Sequence, residues 1–355
     1  MKNQCRRVTI DGREFVLTNP HKLMWPESGL TKADLVFYYV NMASILSPYL
    51  AGRYLVFTRY PDGIHGKWFY QKDCPDYAPE WVHTEPYGSP SARRTLRFVT
   101  GADAATLAWL GNQACIEVHP WLSRSRAPEH PDWAVFDLDP AAPAGLAEAR
   151  AVAGMLKEIL DGFGLRGYLK SSGATGFHVY VPLLPRFTYA QSAGFVAYLA
   201  RFLLAQAPGL ITLERAVRKR GGKVYIDYLQ NIMGKTIAAP YSPRPHPGAP
   251  VSAPLDWSEL NDFSRPYTMT TIFPRLESAG DLFAPVLSDY QDISGVLQLA
   301  GLQTEDPGRE GGRDWSNVEV KGPAVRRPAG PGHGAKPVGP GGHTPATEHT
   351  PSPGS

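Results

Sequence analysis

Residues 133–140, Trp-Ala-Val-Phe-Asp-Leu-Asp-Pro, constrain the fold of this chain more than any other stretch. The run is apolar and strand-forming, it carries two acids two places apart, and Pro140 closes it. Successive strand residues point to opposite faces, so Asp137 and Asp139 project together from one face at the strand's end. Two carboxylates held side by side repel each other, and a hard divalent cation bridging them removes that repulsion. An isolated Asp-x-Asp is more often a turn or a cap, so the reading depends on a third acid. Asp227 lies in Val224-Tyr225-Ile226-Asp227-Tyr228, a second strand-forming run in which an unpaired acid is costly. Three aspartates on two strands make a two-metal phosphoryl-transfer site plausible.

Between the two runs lies Ser171-Ser172-Gly173-Ala174-Thr175-Gly176-Phe177-His178, read as strand, small-residue turn and strand. Gly173 and Gly176 let backbone amides approach an anion, Ser172 and Thr175 add hydroxyls, and His178 adds a donor. Net charge over the chain is +3, too small to announce a nucleic-acid binder. The charge is clustered, however. Residues 211–250 hold seven basic residues against Glu214 and Asp227, for a local net of +5. A solvated hairpin face would carry the same charge. Beside metal-binding acids, turn and basic segment together read as a cradle for a nucleoside triphosphate.

The remaining pattern interleaves strands and helices, which predicts an α+β (α/β mixed) core. A short strand is expected over Val8–Leu17. Helices are expected over Thr31–Tyr49, opened by an approximate capping box with Asp34, and over Ala102–Gln113, Ala144–Phe163 and Thr188–Ala207. Strands are expected at Tyr168–Ser171 and Phe177–Leu183, and a hairpin at Lys223–Tyr228 and Lys235–Pro240. Residues 1–302 are read as one catalytic domain. Residues 303–355 are read as a disordered tail, because Gly322–Ser355 contains 8 Gly and 8 Pro in 34 residues and cannot bury enough apolar surface to order itself. Cys5, Cys74 and Cys115 show no metal-type spacing and are expected to be free thiols. No signal peptide or membrane span is evident, which places the chain in the cytoplasm with no membrane partner.

These motifs carry a resemblance. Asp137-Leu138-Asp139, Ser172-Gly173 through His178, and Asp227 are similar to the three ordered motifs of the archaeo-eukaryotic primase superfamily. Further segments resemble the polymerase domain of bacterial ligase D, from non-homologous end joining: Leu17-Thr18-Asn19-Pro20 with Lys22 and Pro26, Thr31-Lys32, Arg59 to Gly63, Phe69-Tyr70-Gln71-Lys72, Glu117-Val118-His119-Pro120, Gly222-Lys223 to Asn231, and Pro240 to Pro245. The resemblance runs from about residue 8 to 300. It implies a primase-like fold with a central mixed β-sheet flanked by helices.

The resemblance also implies roles. Asp137, Asp139 and Asp227 would hold Mn²⁺ or Mg²⁺. Ser172, Thr175, His178, His119, Gln230 and Arg244 would line the incoming nucleotide. Lys22 and Lys32 would grip a 5′-phosphate, Phe69 and Tyr70 would stack on the template base, and Arg220 would approach the primer terminus. The expected activity is template-dependent nucleotide addition with ribonucleotide preference at gapped duplexes or broken ends. Expected partners are DNA, nucleoside triphosphates, Ku and a separate ATP-dependent DNA ligase, since no Lys-x-Asp-Gly motif occurs; the expected setting is cytoplasmic and nucleoid-associated. The chain departs from the pattern at Thr175, where many relatives carry lysine, and Lys170 and Lys235 are the candidates to supply that charge. Two rival readings are a haloacid-dehalogenase-type phosphatase, disfavoured by Ala141 where that motif wants Thr or Val, and a non-catalytic DNA-end-binding module, disfavoured by the intact acids.

Overall fold

A hairpin opens the fold: β1 (Cys5–Ile10) pairs antiparallel with β2 (Arg13–Thr18). One strand was expected here, but Asp11 and Gly12 both adopt positive φ, which is what a two-residue Asp-Gly hairpin turn requires. The structure, a computed structural model, describes residues 5–89 and 93–303. The expected tail, from residue 304 on, lies outside the described residues.

Short β3 (Leu23–Trp25) and β4 (Leu30–Thr31) lead into α1 (Lys32–Leu50). Thr31 caps this helix: its side chain accepts from the Asp34 amide, and the Asp34 carboxylate accepts from the Thr31 amide at 2.7 Å. Its helically spaced stripe of Leu35, Tyr38, Tyr39, Met42 and Leu46 is fully buried. Then come β5 (Leu55–Arg59), β6 (Phe69–Gln71), the hairpin β7 (Thr84–Ser89) and β8 (Arg94–Val99), α2 (Ala104–Asn112) and β9 (Cys115–Pro120). Strand β5 pairs antiparallel with both β6 and β9 in a small sheet. Its register places Tyr70, Thr58 and Glu117 side by side across the three strands.

The central sheet is built from β10 (Trp133–Pro140), β11 (Tyr168–Ser171), β12 (Phe177–Pro182), β13 (Ile211–Thr212), β14 (Val224–Ile226) and β15 (Pro254–Leu255). Its order is β13-β14-β10-β12-β11-β15, antiparallel except for the parallel pair β13/β14, so the sheet is mixed as expected. Helices α3 (Leu146–Gly162) and α4 (Tyr189–Gln206) lie within two residues of their expected bounds. They share one apolar cluster with Ala134, Phe136 and Leu138 of β10, Phe177, Val179 and Val181 of β12, and Val224 and Ile226 of β14. Residues of the other parity face away from that cluster. Trp133, Val135 and Tyr180 join the core that α1 packs on, and Asp137, Asp139, His178 and Tyr225 continue the same face toward the strand ends.

Gly176, at the head of β12, is dictated by this crossing: a Cβ there would lie 2.2 Å from the Leu138 carbonyl oxygen. The chain closes with α5 (Ile272–Ala279) and α6 (Ser294–Leu299). No helix among the described residues is long and apolar enough to cross a membrane.

The expected hairpin of 223–228 with 235–240 does not form. Strand β14 ends at Ile226, Asp227 opens a 3₁₀ turn over Tyr228–Asn231, and Thr236 instead bridges to Trp121. The cause is Asn231, which is fully buried: its side-chain oxygen accepts from the Val135 amide at 2.8 Å and its nitrogen donates to the Val135 carbonyl at 2.7 Å. The amide thus stands in for a strand partner on β10 and folds the chain back. We predict that Asn231→Ala, which orphans two buried backbone groups, destabilises the domain by about 2 to 4 kcal/mol in urea denaturation, with no change in m-value.

Candidate active site

Strand parity places the three aspartates together. Asp137 and Asp139 share a face of β10, and the Asp227 amide donates to the Asp137 carbonyl at 3.1 Å, which fixes the third acid beside the first. Burial, then the charges of Asp139 and Asp227, push the Asp137 carboxyl up to about 7. Each carboxylate has its own partner. His178 Nε2 lies 3.4 Å from Asp137, Arg220 donates to Asp139 at 2.6 Å, and the Tyr225 hydroxyl donates to Asp227 at 3.0 Å. Held this way, no three His, Cys, Asp or Glu side chains among the described residues converge on one point. The donor set itself, carboxylate oxygens crowded around Asp137, is the chemistry that suits a hard divalent ion.

The 171–178 turn differs from expectation in its amides. The Ser172 hydroxyl accepts from the amides of Ala174 and Gly176, both at 3.1 Å, so these donors serve the turn rather than a ligand. Arg244 donates to the Ser172 carbonyl at 2.6 Å and packs on Gly173, whose φ is +75° and where a Cβ would meet the Arg244 chain at 2.6 Å.

Lys170 is not the missing phosphate charge. It is fully buried, with its amine donating to the Ala238 carbonyl and to the Ser252 hydroxyl and lying 2.7 Å from His178 Nδ1. Burial lowers its proton affinity, while nearby Asp137 opposes that. Burial and the Lys170 charge lower the proton affinity of His178, whose Nε2 faces Asp137.

The same cleft is lined by basic groups, one of which, Arg244, is held by an acid of the small sheet. Glu117 and His119 share a face of β9, and Glu117 Oε1 sits 2.8 Å from Arg244 Nε while His119 Nε2 lies 3.5 Å from its other oxygen. Burial alone would raise Glu117; the hydrogen bond and charge of His119 together with Arg244 outweigh it and hold the carboxyl at about 2. Asp137, Asp139, Ser172, Thr175, His178, His119, Gln230, Arg244 and Tyr70 all line one cleft of about 520 Å³, joined there by Lys72 and Lys235. Sequence reasoning did not assign Glu117 or Lys72, although both lay in segments that carried the resemblance.

Five expected residues lie outside that lining. Asp227 and Arg220 stand beside it through their contacts with Asp137 and Asp139. Tyr70 and Phe69 are exposed rather than core, on opposite faces of β6; Tyr70 meets His119 edge-on at 6.3 Å, and Phe69 lies under the Arg59 guanidinium at 5.3 Å. Trp68, half exposed and stacked on Tyr60, shares the Tyr70 side. Lys22 donates to the Pro61 carbonyl at 2.8 Å and to Asp62 at 3.1 Å. Lys32 is buried, donates to Thr18 at 2.8 Å and to the Asn112 carbonyl at 3.1 Å, and is lowered to about 8 by burial and by the Lys22 charge.

Glu117 yields a pH test. Its folded pKa lies below the ordinary 4.5, so its contribution to stability is complete above pH 4.5 and is lost as pH falls toward 2. We predict that the stability gap between the wild type and Glu117→Gln, followed by denaturant titration, is constant above pH 5 and narrows steadily below pH 4.5.

Comparison with known proteins agrees with this architecture. The family model described as LigD, primase-polymerase domain, matches residues 31–283. The chain is 35% identical over 287 residues to the bifunctional non-homologous end joining protein LigD of Bacillus subtilis, covering 79% of this chain and 46% of that protein. It is 32% identical over 276 residues to the multifunctional non-homologous end joining protein LigD of Mycolicibacterium smegmatis, covering 77% of this chain and 36% of that one. Among solved structures, the polymerase domain from Mycobacterium tuberculosis ligase D in complex with DNA superposes with a TM-score of 0.72 at 30% identity, covering 78% of this chain and 98% of that domain. The chain thus spans less than half the length of these full-length relatives but nearly all of the solved polymerase domain. It belongs to the LigD primase-polymerase domain family, whose members are DNA-directed nucleotidyltransferases.

Proposed function

We propose that residues 1–302 form a template-dependent polymerase that adds nucleotides to the 3′ end of DNA at gaps or breaks during end joining. The observation that carries this reading is one cleft of about 520 Å³ lined both by crowded carboxylates and by Arg244, Lys72 and Lys235. A nucleoside triphosphate matches that polarity, since its phosphates need cations on one side and metal-bridging acids on the other.

In this reading Asp137, Asp139 and Asp227 hold Mn²⁺ or Mg²⁺. When bound, such ions lower the pKa of the attacking 3′-hydroxyl and stabilise the pyrophosphate leaving group. Arg244, held by Glu117 and the Ser172 carbonyl, is fixed before a phosphate arrives, and His178 presents Nε2 beside Asp137. His119, Gln230, Ser172 and Thr175 complete the nucleotide subsite, and Lys235 and Lys72, both in the lining, supply the cationic charge that Thr175 lacks. Tyr70 and Phe69 offer exposed rings for the template base. Arg220, which pairs with Asp139, would be released from that carboxylate by a bound ion and would then be free to approach the primer end. Ribonucleotide preference, a setting at the nucleoid and work with Ku and an ATP-dependent ligase are proposed from the family resemblance, and the cytoplasmic setting from the sequence.

Primer extension on a gapped duplex, with ribo- and deoxyribonucleotides supplied separately, tests the reading. We predict addition by the wild type, favoured with ribonucleotides, and no addition by Asp137→Ala, which retains DNA affinity because phosphate contacts supply most of it. Near wild-type extension by Asp137→Ala overturns the metal assignment.

The second test concerns the downstream end. Lys22 and Lys32 are close enough for the charge of one to lower the other, and the Lys32 amide donates to the Lys22 carbonyl at 2.8 Å. A terminal phosphate would relieve that repulsion. Charge-assisted hydrogen bonds contribute about 1.5 to 3 kcal/mol, so gapped DNA with a 5′-phosphate should bind roughly tenfold or more tightly than its 5′-hydroxyl counterpart at one fixed salt concentration. Anisotropy titration of Lys22→Ala/Lys32→Ala should show the two duplexes binding alike; equal binding by the wild type sinks the end-recognition role.

A further inference from the structure

Tyr225 sits between two of the three carboxylates and has no role so far. It lies opposite Asp139 in the β10/β14 register and is 3% exposed. Its hydroxyl donates to Asp227 Oδ1 at 3.0 Å. Its ring carries the Arg220 guanidinium 4.0 Å from the centroid, and that guanidinium reaches Asp139 Oδ2 at 2.6 Å. One side chain therefore touches Asp227 directly and Asp139 through a single intermediary. A phenol carries its proton at ordinary pH, so the hydroxyl is the donor and the carboxylate the acceptor in this contact. Packing does not demand that oxygen. Phenylalanine would fill the same place on the strand and keep the ring under Arg220.

We infer that Tyr225 is a positioning residue for the metal-binding carboxylates, setting the rotamer of Asp227 through its hydroxyl and holding Arg220 on Asp139 through its ring. The inference rests on the reading of Asp137, Asp139 and Asp227 as cation ligands. The two contacts act in opposite directions. With Oδ1 of Asp227 held by the phenol, the side chain is ordered before an ion arrives and its other oxygen remains for coordination. Arg220 on Asp139, by contrast, competes with an ion for that carboxylate.

Tyr225→Phe removes the first contact alone. Loss of a group that orients a metal ligand costs about 10- to 100-fold in ion affinity; for a single hydrogen bond to one of three ligands the lower end applies. We predict that Mn²⁺ binds Tyr225→Phe about tenfold more weakly than wild type, measured by electron paramagnetic resonance of the free ion in protein without DNA or nucleotide, at an unchanged melting temperature. Arg220→Ala should bind Mn²⁺ more tightly than wild type, and Tyr225→Phe should cost the same factor on that background, because its hydroxyl acts on Asp227 and not through Arg220. A purely structural tyrosine would lower the melting temperature and leave the ion affinity in place, which refutes the inference. So does a loss that vanishes on the Arg220→Ala background. Asp227→Asn separates the two ideas: if it binds Mn²⁺ as the wild type does, the ligand reading itself is wrong, whereas a weakened Asp227→Asn beside an unaffected Tyr225→Phe overturns only the positioning role.

Discussion

Every polar group on the floor of the cleft reaches it because the central strands bury one parity of residues and present the other. Phe136 and Leu138, Phe177 and Val179, and Val224 and Ile226 anchor β10, β12 and β14 to α3 and α4. Asp137 and Asp139, His178, and Tyr225 then have no choice of side. A slip of one residue in any of these pairs would drive a carboxylate into the apolar layer, at a cost no local contact could offset. The core therefore specifies the site more tightly than the site's own contacts do. Asn231 extends the same control past the end of β14 by gripping Val135, so that Asp227 stops beside Asp137.

Gathering acids on that face has a cost. Asp137 holds its proton up to about pH 7 against an ordinary 3.8, so the folded chain binds that proton more tightly than the unfolded chain does. Stability from this group is complete below pH 3.8 and drains away as pH rises through 7. Glu117 has the reverse profile, since Arg244 and His119 make its charge an asset in the fold. The cleft thus sets an acid that resists ionising against one that resists protonation. Positive charge placed near the first is used by a ligand or an ion; positive charge placed near the second is already compensated and serves to orient.

Much of this was legible in the sequence, because period-two alternation and a capping box are local signals. The Asp-x-Asp strand, the turn before His178 and all four long helices follow from them. What was not legible is settled by partners distant in the chain. The hairpin expected at 223–240 fails because Asn231 pairs with a residue 96 positions away. Lys32 reads as a surface charge at a helix start, yet it is buried against Thr18 and Asn112, 14 and 80 positions away. The break at Asp11-Gly12 is the exception: its dipeptide is a local signal and was within reach.

Lys170 and Thr175 show how such distant contacts redistribute a function. A lysine two residues before Ser172 looks able to replace a cation absent from the turn, but β11 places it on the inner side of the pairing with His178, where Ala238 and Ser252 complete its hydrogen bonds. Its amine then meets the imidazole of His178, 2.7 Å from Nδ1, rather than a ligand. Bare cations at the ligand surface must come from the rim instead, and Lys72 from β6's end and Lys235 from the segment after Asn231 both stand in the lining. A turn lacking its own lysine is thus compatible with phosphate binding, provided the phosphates lie toward those two side chains and away from Thr175.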